Sequence, residues 1–259
     1  MEASGLSRRS AILKKLVSVK PWPPGALSVP MFQAHRGFWI QGEQENTIGA
    51  FRAARMAGSR MVELDVQLSK DRIPVVFHDE KIARFTKDPN RNNLEVNDLT
   101  ASELKELVNA PTLREVLHDP QMPPYFNIEL KTQKIFDDPL ERKVFEVVRA
   151  TKASGRVLFS SFNPLSLWRM SQHTNSIPLA LLLGEKMDRT YLEEMWLAPL
   201  LRFHVLHMED SLADRPGELE FWQKKKVPVA VWTVNDKEKA KAYLKAGVLS
   251  VISDQIISI

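Results

Sequence analysis

His35-Arg36-Gly37 opens the stretch that decides the fold, which then passes Glu45-Asn46-Thr47 and Glu63-Leu64-Asp65 and closes on His78-Asp79. A strand turns residues i and i+2 to the same face, so Glu63 and Asp65 point together, one pleat apart. Two carboxylates so placed suit a hard cation. The apolar run that continues from Val66 meets a polar break at Lys70-Asp71-Arg72, and a second apolar run, Ile73 to Phe77, ends at His78. That pattern predicts a hairpin that folds back and returns His78 to the level of Asp65.

Outward from this stretch, apolar runs alternate with helical patterns. Strands are expected at 31–34, 60–66, 125–131, 156–162, 178–183, 203–208, 227–234 and 249–253. Helices are expected at 45–56, 102–108, 112–117, 138–152, 164–173, 191–200, 218–226 and 236–246, several bounded by Pro or Gly signals. Between them lies a long polar stretch, 83–97. With the hairpin set aside as an excursion, the buried strands number eight, ending near His35, Asp65, Lys131, Ser161, Leu183, Met208, Thr233 and Ser253. Eight βα units in a chain of this size predict an α/β TIM (β/α)8 barrel with a β-hairpin after strand 2 and a short N-terminal helix. A doubly wound sheet is the alternative, but no glycine-rich phosphate loop follows the first strand.

Composition narrows the classes. The 44% hydrophobic content is enough for a sizeable core, and without cysteine there is no disulfide framework or zinc-thiolate site. No run of about 18 apolar residues is present, so no transmembrane helix is expected. A net charge of +4 permits anionic substrates; the basic residues are scattered and form no nucleic-acid motif, so no nucleic-acid partner is expected. Residues 1–30 read as a basic leader helix and linker, and 31–259 as the barrel domain. In the leader, Lys14 and Lys15 interrupt the apolar residues, unlike a signal peptide. The pattern fits a helix packed under the domain, a membrane-surface helix or a frayed tail. The expected compartment is the cytoplasm, with peripheral membrane contact through this helix or the Phe38-Trp39-Ile40 loop left open.

His35, Arg36, Glu63, Asp65, His78, Glu129 and Lys131 all fall at or near strand C-terminal ends, where barrel enzymes place their chemistry. Glu129 and Lys131 repeat the i, i+2 spacing. Any one of these has an ordinary structural reading, such as a braced histidine or an ion pair. Together they are costly to bury unless they pair or bind a metal.

These segments, followed by Asp98-Leu99-Thr100, Pro111-Thr112-Leu113, Asn127-Ile128-Glu129-Leu130-Lys131, Ser160-Ser161-Phe162, Val231-Trp232-Thr233-Val234-Asn235 and Gly247-Val248, resemble the glycerophosphodiester phosphodiesterase family. The wider group is the phosphatidylinositol-phospholipase-C-like barrels. The resemblance runs in family order from about residue 31 to 254. It implies His35 and His78 as an acid/base pair, and Glu63, Asp65 and Glu129 as ligands of a divalent metal, Ca²⁺ or Mg²⁺. It also implies Arg36 and Lys131 as phosphate ligands and Trp232 as a pocket wall. The reaction it implies is metal-dependent hydrolysis of a glycerophosphodiester to glycerol 3-phosphate and an alcohol. Lysophospholipids, which Phe38-Trp39-Ile40 would favour if exposed, are the alternative substrate, and a catalytically silent binding barrel is the alternative role. Gln44 stands where the family usually has proline, and Ser253 where threonine is common; neither removes a catalytic group. The span from His78 to Glu129 leaves room for only a small inserted subdomain.

Overall fold

The computed structural model describes residues 19–40, 42–132, 139–184 and 202–257. The expected leader helix and the helix at 191–200 lie outside the described residues.

Eight parallel strands close into a barrel: β1 (Phe32–His35), β2 (Met61–Leu68), β4 (Tyr125–Leu130), β5 (Val157–Ser161), β6 (Leu179–Leu183), β7 (Val205–Glu209), β8 (Val229–Trp232) and β9 (Ser250–Ser253). β1 closes the ring by pairing with β2 on one side and β9 on the other. β3 (Pro74–Val76) is the expected excursion and runs antiparallel to the far end of β2, Val66 opposite Val76. Phe77 N–H donates to the Asp65 carbonyl at 3.0 Å, so the next residue, His78, stands at the same end of the barrel as Asp65.

Helices fill the connections. They are α1 (Ile48–Met56), α2 (Ala101–Val108), α3 (Leu113–His118), α4 (Pro139–Ala150), α5 (Pro164–His173), α6 (Asp210–Ala213), α7 (Glu218–Lys224) and α8 (Lys237–Lys245). α2 and α3 each begin with a capping box, Thr100 with Glu103 and Thr112 with Glu115, which satisfies two otherwise orphaned N–H groups. α1 begins three residues later than the sequence pattern predicts. Asn46 takes a left-handed φ of 58° and Thr47 caps the helix, which frees Glu45 and Asn46 for the barrel mouth.

Alternation along each strand divides the barrel. Leu64, Ile128, Phe159, Leu181, Leu206 and Val231 face outward into the main core beneath the helices. Met61, Leu158, Ala180 and Val205 face inward at the N-terminal end of the strands, where Trp22, Leu27 and Val29 pack against them. Above this apolar floor the interior turns polar. Asn127 Nδ2 donates to Gln33 Oε1, and Gln33 Nε2 donates to Ser250 Oγ, each at 3.1 Å. The polar stretch at 83–97 follows β3. It holds two short 3₁₀ turns, Pro89–Arg91 and Val96–Asp98, and builds a satellite core on Phe77, Ile82, Val96, Leu99, Leu104 and Val108.

Candidate active site

Glu63 and Asp65 rise from β2 and Glu129 from β4, and register sets Asp65 beside Glu129. One oxygen from each of the three lies within 4.8 Å of the others, and all three residues are buried. The cluster is only partly neutralised. Lys131 Nζ lies 3.1 Å from Glu129 and 3.6 Å from Asp65, and Arg36 Nε lies 3.4 Å from Asp65. Burial raises the pKa of Glu63, and Asp65 and Glu129 push it higher, against the Arg36 charge and its backbone N–H at 3.2 Å. Burial pushes Asp65 the same way, but Lys131 and Arg36 outweigh it and hold the carboxyl well below its usual range. Three converging acids share two cations, so with all three ionised the cluster keeps an excess of negative charge. An oxygen-only set of this kind fits a divalent hard cation.

The histidines flank the cluster, each with one ring nitrogen tied down. His35 Nδ1 lies 2.7 Å from Asp254 Oδ1, and His78 Nδ1 lies 2.7 Å from Asp79 Oδ1. Burial raises the pKa of both aspartates, but hydrogen bonds reverse it, from Arg84 and His78 on Asp79 and from His35 and Asn235 on Asp254. An ionised carboxylate can only accept, so each Nδ1 carries the proton and Nε2 is left for proton transfer. His35 Nε2 lies 3.8 Å from Glu63 Oε2, on the edge of the acid cluster.

A wider net holds these groups in register. Asn46 Nδ2 donates to Asp65 Oδ2 at 2.8 Å, and Asn46 Oδ1 accepts the Asp65 N–H at 3.2 Å. Arg36 donates to Glu45 at 3.0 Å, and Arg84 bridges Glu45 to Asp79, linking the His35 loop to the His78 loop. Gln67 Nε2 contacts the carbonyls of Phe77, His78 and Asp79 at 2.9, 3.1 and 2.8 Å, clasping the turn that carries His78. Gly37, at φ 90°, touches α1 so closely that a Cβ there would meet the backbone of Ala50 at 2.8 Å.

Across the mouth, Trp232 ends β8. Its indole N–H donates to the His207 carbonyl at 3.0 Å and its ring meets Phe162 edge-on at 5.5 Å. His207 itself is fully buried inside the barrel, with neither ring nitrogen hydrogen-bonded, and burial pushes its pKa down to about 3. Of Phe38, Trp39 and Ile40, only Ile40 is exposed, while Phe38 packs against the main core. No described helix is long and apolar enough to cross a membrane.

All eight residues singled out in the sequence thus stand at one end of the barrel. Seven gather on the β1–β2–β4 side, and Trp232 faces them from β8. Sequence reasoning assigned no role to Asn46, Glu45, Gln67, Arg84, Asp254 or His207. Glu45 and Asn46 stood in the stretch quoted first, and Asp254 is the first polar residue after β9, which lies beside β1.

The chain matches the Glycerophosphoryl diester phosphodiesterase family over residues 35–258. It is 32% identical to a glycerophosphodiester phosphodiesterase of Caldanaerobacter subterraneus, a match covering 85% of this chain and 92% of that one. It is 33% identical to another of the same name from Bacillus altitudinis, covering 85% and 93%. Among solved structures, a glycerophosphodiester phosphodiesterase from Thermotoga maritima superposes with a TM-score of 0.68 at 28% identity, covering 87% and 95%. An Oleispira antarctica phosphodiesterase, solved in complex with the product sn-glycerol-3-phosphate, superposes with a TM-score of 0.69 at 25% identity, covering 87% and 93%.

Proposed function

The chain belongs to the glycerophosphodiester phosphodiesterase family and is an enzyme of that class, and on that premise we propose that it splits glycerophosphodiesters into glycerol 3-phosphate and an alcohol by histidine acid/base catalysis beside a divalent metal. The observation that carries the reading is the buried trio Glu63, Asp65 and Glu129 flanked by two histidines whose Nδ1 atoms face aspartates.

In this reading Glu63, Asp65 and Glu129 would hold a divalent cation, Ca²⁺ or Mg²⁺, and when bound it would supply positive charge beside the phosphate. Arg36 and Lys131 add theirs, offsetting charge that grows on the equatorial oxygens as the diester is attacked. One histidine takes the proton of the attacking oxygen through Nε2, and the other gives a proton to the alcohol oxygen as its bond to phosphorus breaks. Asp254 and Asp79 hold a proton on each Nδ1, so the base is a neutral ring with Nε2 open and the acid is an imidazolium that gives up its Nε2 proton. Trp232 walls the far side and keeps bulk water from the leaving group. The silent-barrel alternative requires a lost histidine or metal acid, and this chain keeps all five. Exposed Ile40 at the rim supports a second reading, a lysophospholipid whose acyl chain leaves across that edge, with peripheral membrane contact in the cytoplasm.

The test is direct. Purified protein is offered glycerophosphodiesters and lysophospholipids with Ca²⁺, Mg²⁺ or chelator, and the released alcohol and sn-glycerol-3-phosphate are followed. Metal-dependent release from glycerophosphodiesters supports the proposal; full activity in excess chelator overturns the metal.

A further inference from the structure

His35 and His78 each face an aspartate, but the two aspartates are held differently. Asp254, beside His35, is served by a neutral neighbour. Asn235 Nδ2 donates to Asp254 Oδ2 at 2.8 Å, and Asn235 Oδ1 accepts the Asp254 N–H at 2.9 Å. Asp79, beside His78, is served by a cation that has a second duty. Arg84 Nε donates to Asp79 Oδ2 at 2.9 Å and Nη2 donates to Asp79 Oδ1 at 3.1 Å, so the oxygen that faces His78 Nδ1 is also fixed by the guanidinium. The other edge of the same guanidinium forks Glu45: Nη1 donates to Oε2 at 3.1 Å, and Nη2 donates to Oε1. Glu45 Oε1 in turn accepts from Arg36 Nη1 at 3.0 Å.

One planar group therefore lies between the carboxylate that orients the His78 ring and the carboxylate that orients the Arg36 head. A double fork of this kind needs a flat cation with donors along two edges, which lysine lacks. The satellite core sets its plane. Arg84 Cζ lies 4.4 Å from the centroid of the Phe85 ring, and Phe85 meets Phe77, the residue before His78, edge-on at 5.5 Å. Stability alone is a weak reason for this construction, because the Arg84 side chain is 46% exposed and ion pairs that water reaches add little to folding. We infer that Arg84 is a positioning residue for the reaction, which aligns His78 through Asp79 and Arg36 through Glu45 as one unit. The inference rests on the phosphodiesterase reading, in which His78 moves a proton and Arg36 holds the phosphate. Arg84 itself touches neither the proton nor the phosphate.

Arg84→Lys keeps a positive charge beside Glu45 but cannot fork both carboxylates. In the metal-loaded enzyme acting on a glycerophosphodiester, it should lower kcat by about tenfold or more and raise KM, with a melting temperature close to wild type. Arg84→Ala should lose at least as much, and added guanidinium ion, which can enter at this half-exposed position, should restore part of its rate. A double-mutant cycle tests the route. If Arg84 acts on His78 through Asp79, Arg84→Lys should slow an Asp79→Asn enzyme far less than it slows the wild type. The His78 Nδ1–H proton resonance gives a reading independent of turnover: sharp in the wild type, it should broaden in Arg84→Lys as the ring loosens. Wild-type kcat and KM in Arg84→Lys overturn the inference, as do losses that add in full to those of Asp79→Asn. A rate that falls only in step with the melting temperature overturns it too, and reduces Arg84 to a brace. A wild-type protein that cuts no glycerophosphodiester overturns the phosphodiesterase reading and the kinetic role with it. A His78 resonance unmoved by Arg84→Lys overturns the positioning whether or not a diester is cut.

Discussion

His35 and His78 each have one ring nitrogen against an aspartate, whereas neither nitrogen of His207 meets any partner among the described residues, and the contrast separates the two histidines at the barrel mouth from the one buried inside it. Replacing His35 or His78 with alanine should lower turnover by about 10²-fold or more while the melting temperature stays near wild type. A near-normal rate with a lowered melting temperature would reduce them to loop braces. His207 predicts a pH effect on stability. Its ordinary pKa of 6.5 falls to about 3 on folding because burial penalises the cation. As pH drops below 6.5 the unfolded chain takes up a proton that the folded chain refuses until about pH 3. The unfolded state binds more protons throughout that window, so stability is lost as pH falls across it. His207→Leu should flatten the fall in melting temperature between about pH 7 and pH 5. An unchanged slope would show that other groups carry the acid sensitivity.

The β2–β3 hairpin is the element that assembles the site. The sequence reveals it because an apolar–polar–apolar run with a charged turn has few other folds, and His78 then returns beside Asp65. The eight barrel strands are legible for a similar reason, since each is a short local run rich in apolar residues. The clasp on the hairpin is not legible. Gln67 reaches carbonyls 10 to 12 residues on, Arg84 spans 39 residues to Glu45, and Asp254 spans 219 to His35. No local period records such contacts. Helix α1 shows the limit in another way: its start reads at Glu45, but Asn46 leaves helical geometry to bind Asp65. Gln67→Leu removes no group that touches substrate, yet it frees the turn bearing His78. Turnover should fall by about tenfold or more, with proteolytic nicking near Asp79. Wild-type kinetics and wild-type protease resistance would show the clasp to be redundant.

At the scale of the whole molecule, the acid cluster joins metal binding to stability. Three buried carboxylates repel one another, so a divalent cation that binds only the folded barrel should raise its melting temperature. Glu63→Gln should abolish most of that rise, and chelator should return the wild type to its metal-free value. No shift with Ca²⁺ or Mg²⁺ at millimolar concentration would argue against a resident ion. The polar interior beneath the cluster carries its own cost: Asn127 Oδ1, Ser160 Oγ and both His207 nitrogens are buried without hydrogen-bond partners, where a wholly apolar core would be cheaper. Barrel closure has a further consequence during synthesis. β1 is made early but pairs with β9, and the ring of His35 is oriented by Asp254, among the last residues described. A nascent chain that has exposed both histidines, the three carboxylates, Arg36 and Lys131 still lacks the strand that completes the ring and the aspartate beside His35. An abortive fragment ending at β8 should therefore carry nearly every residue of the candidate site and yet cut no diester.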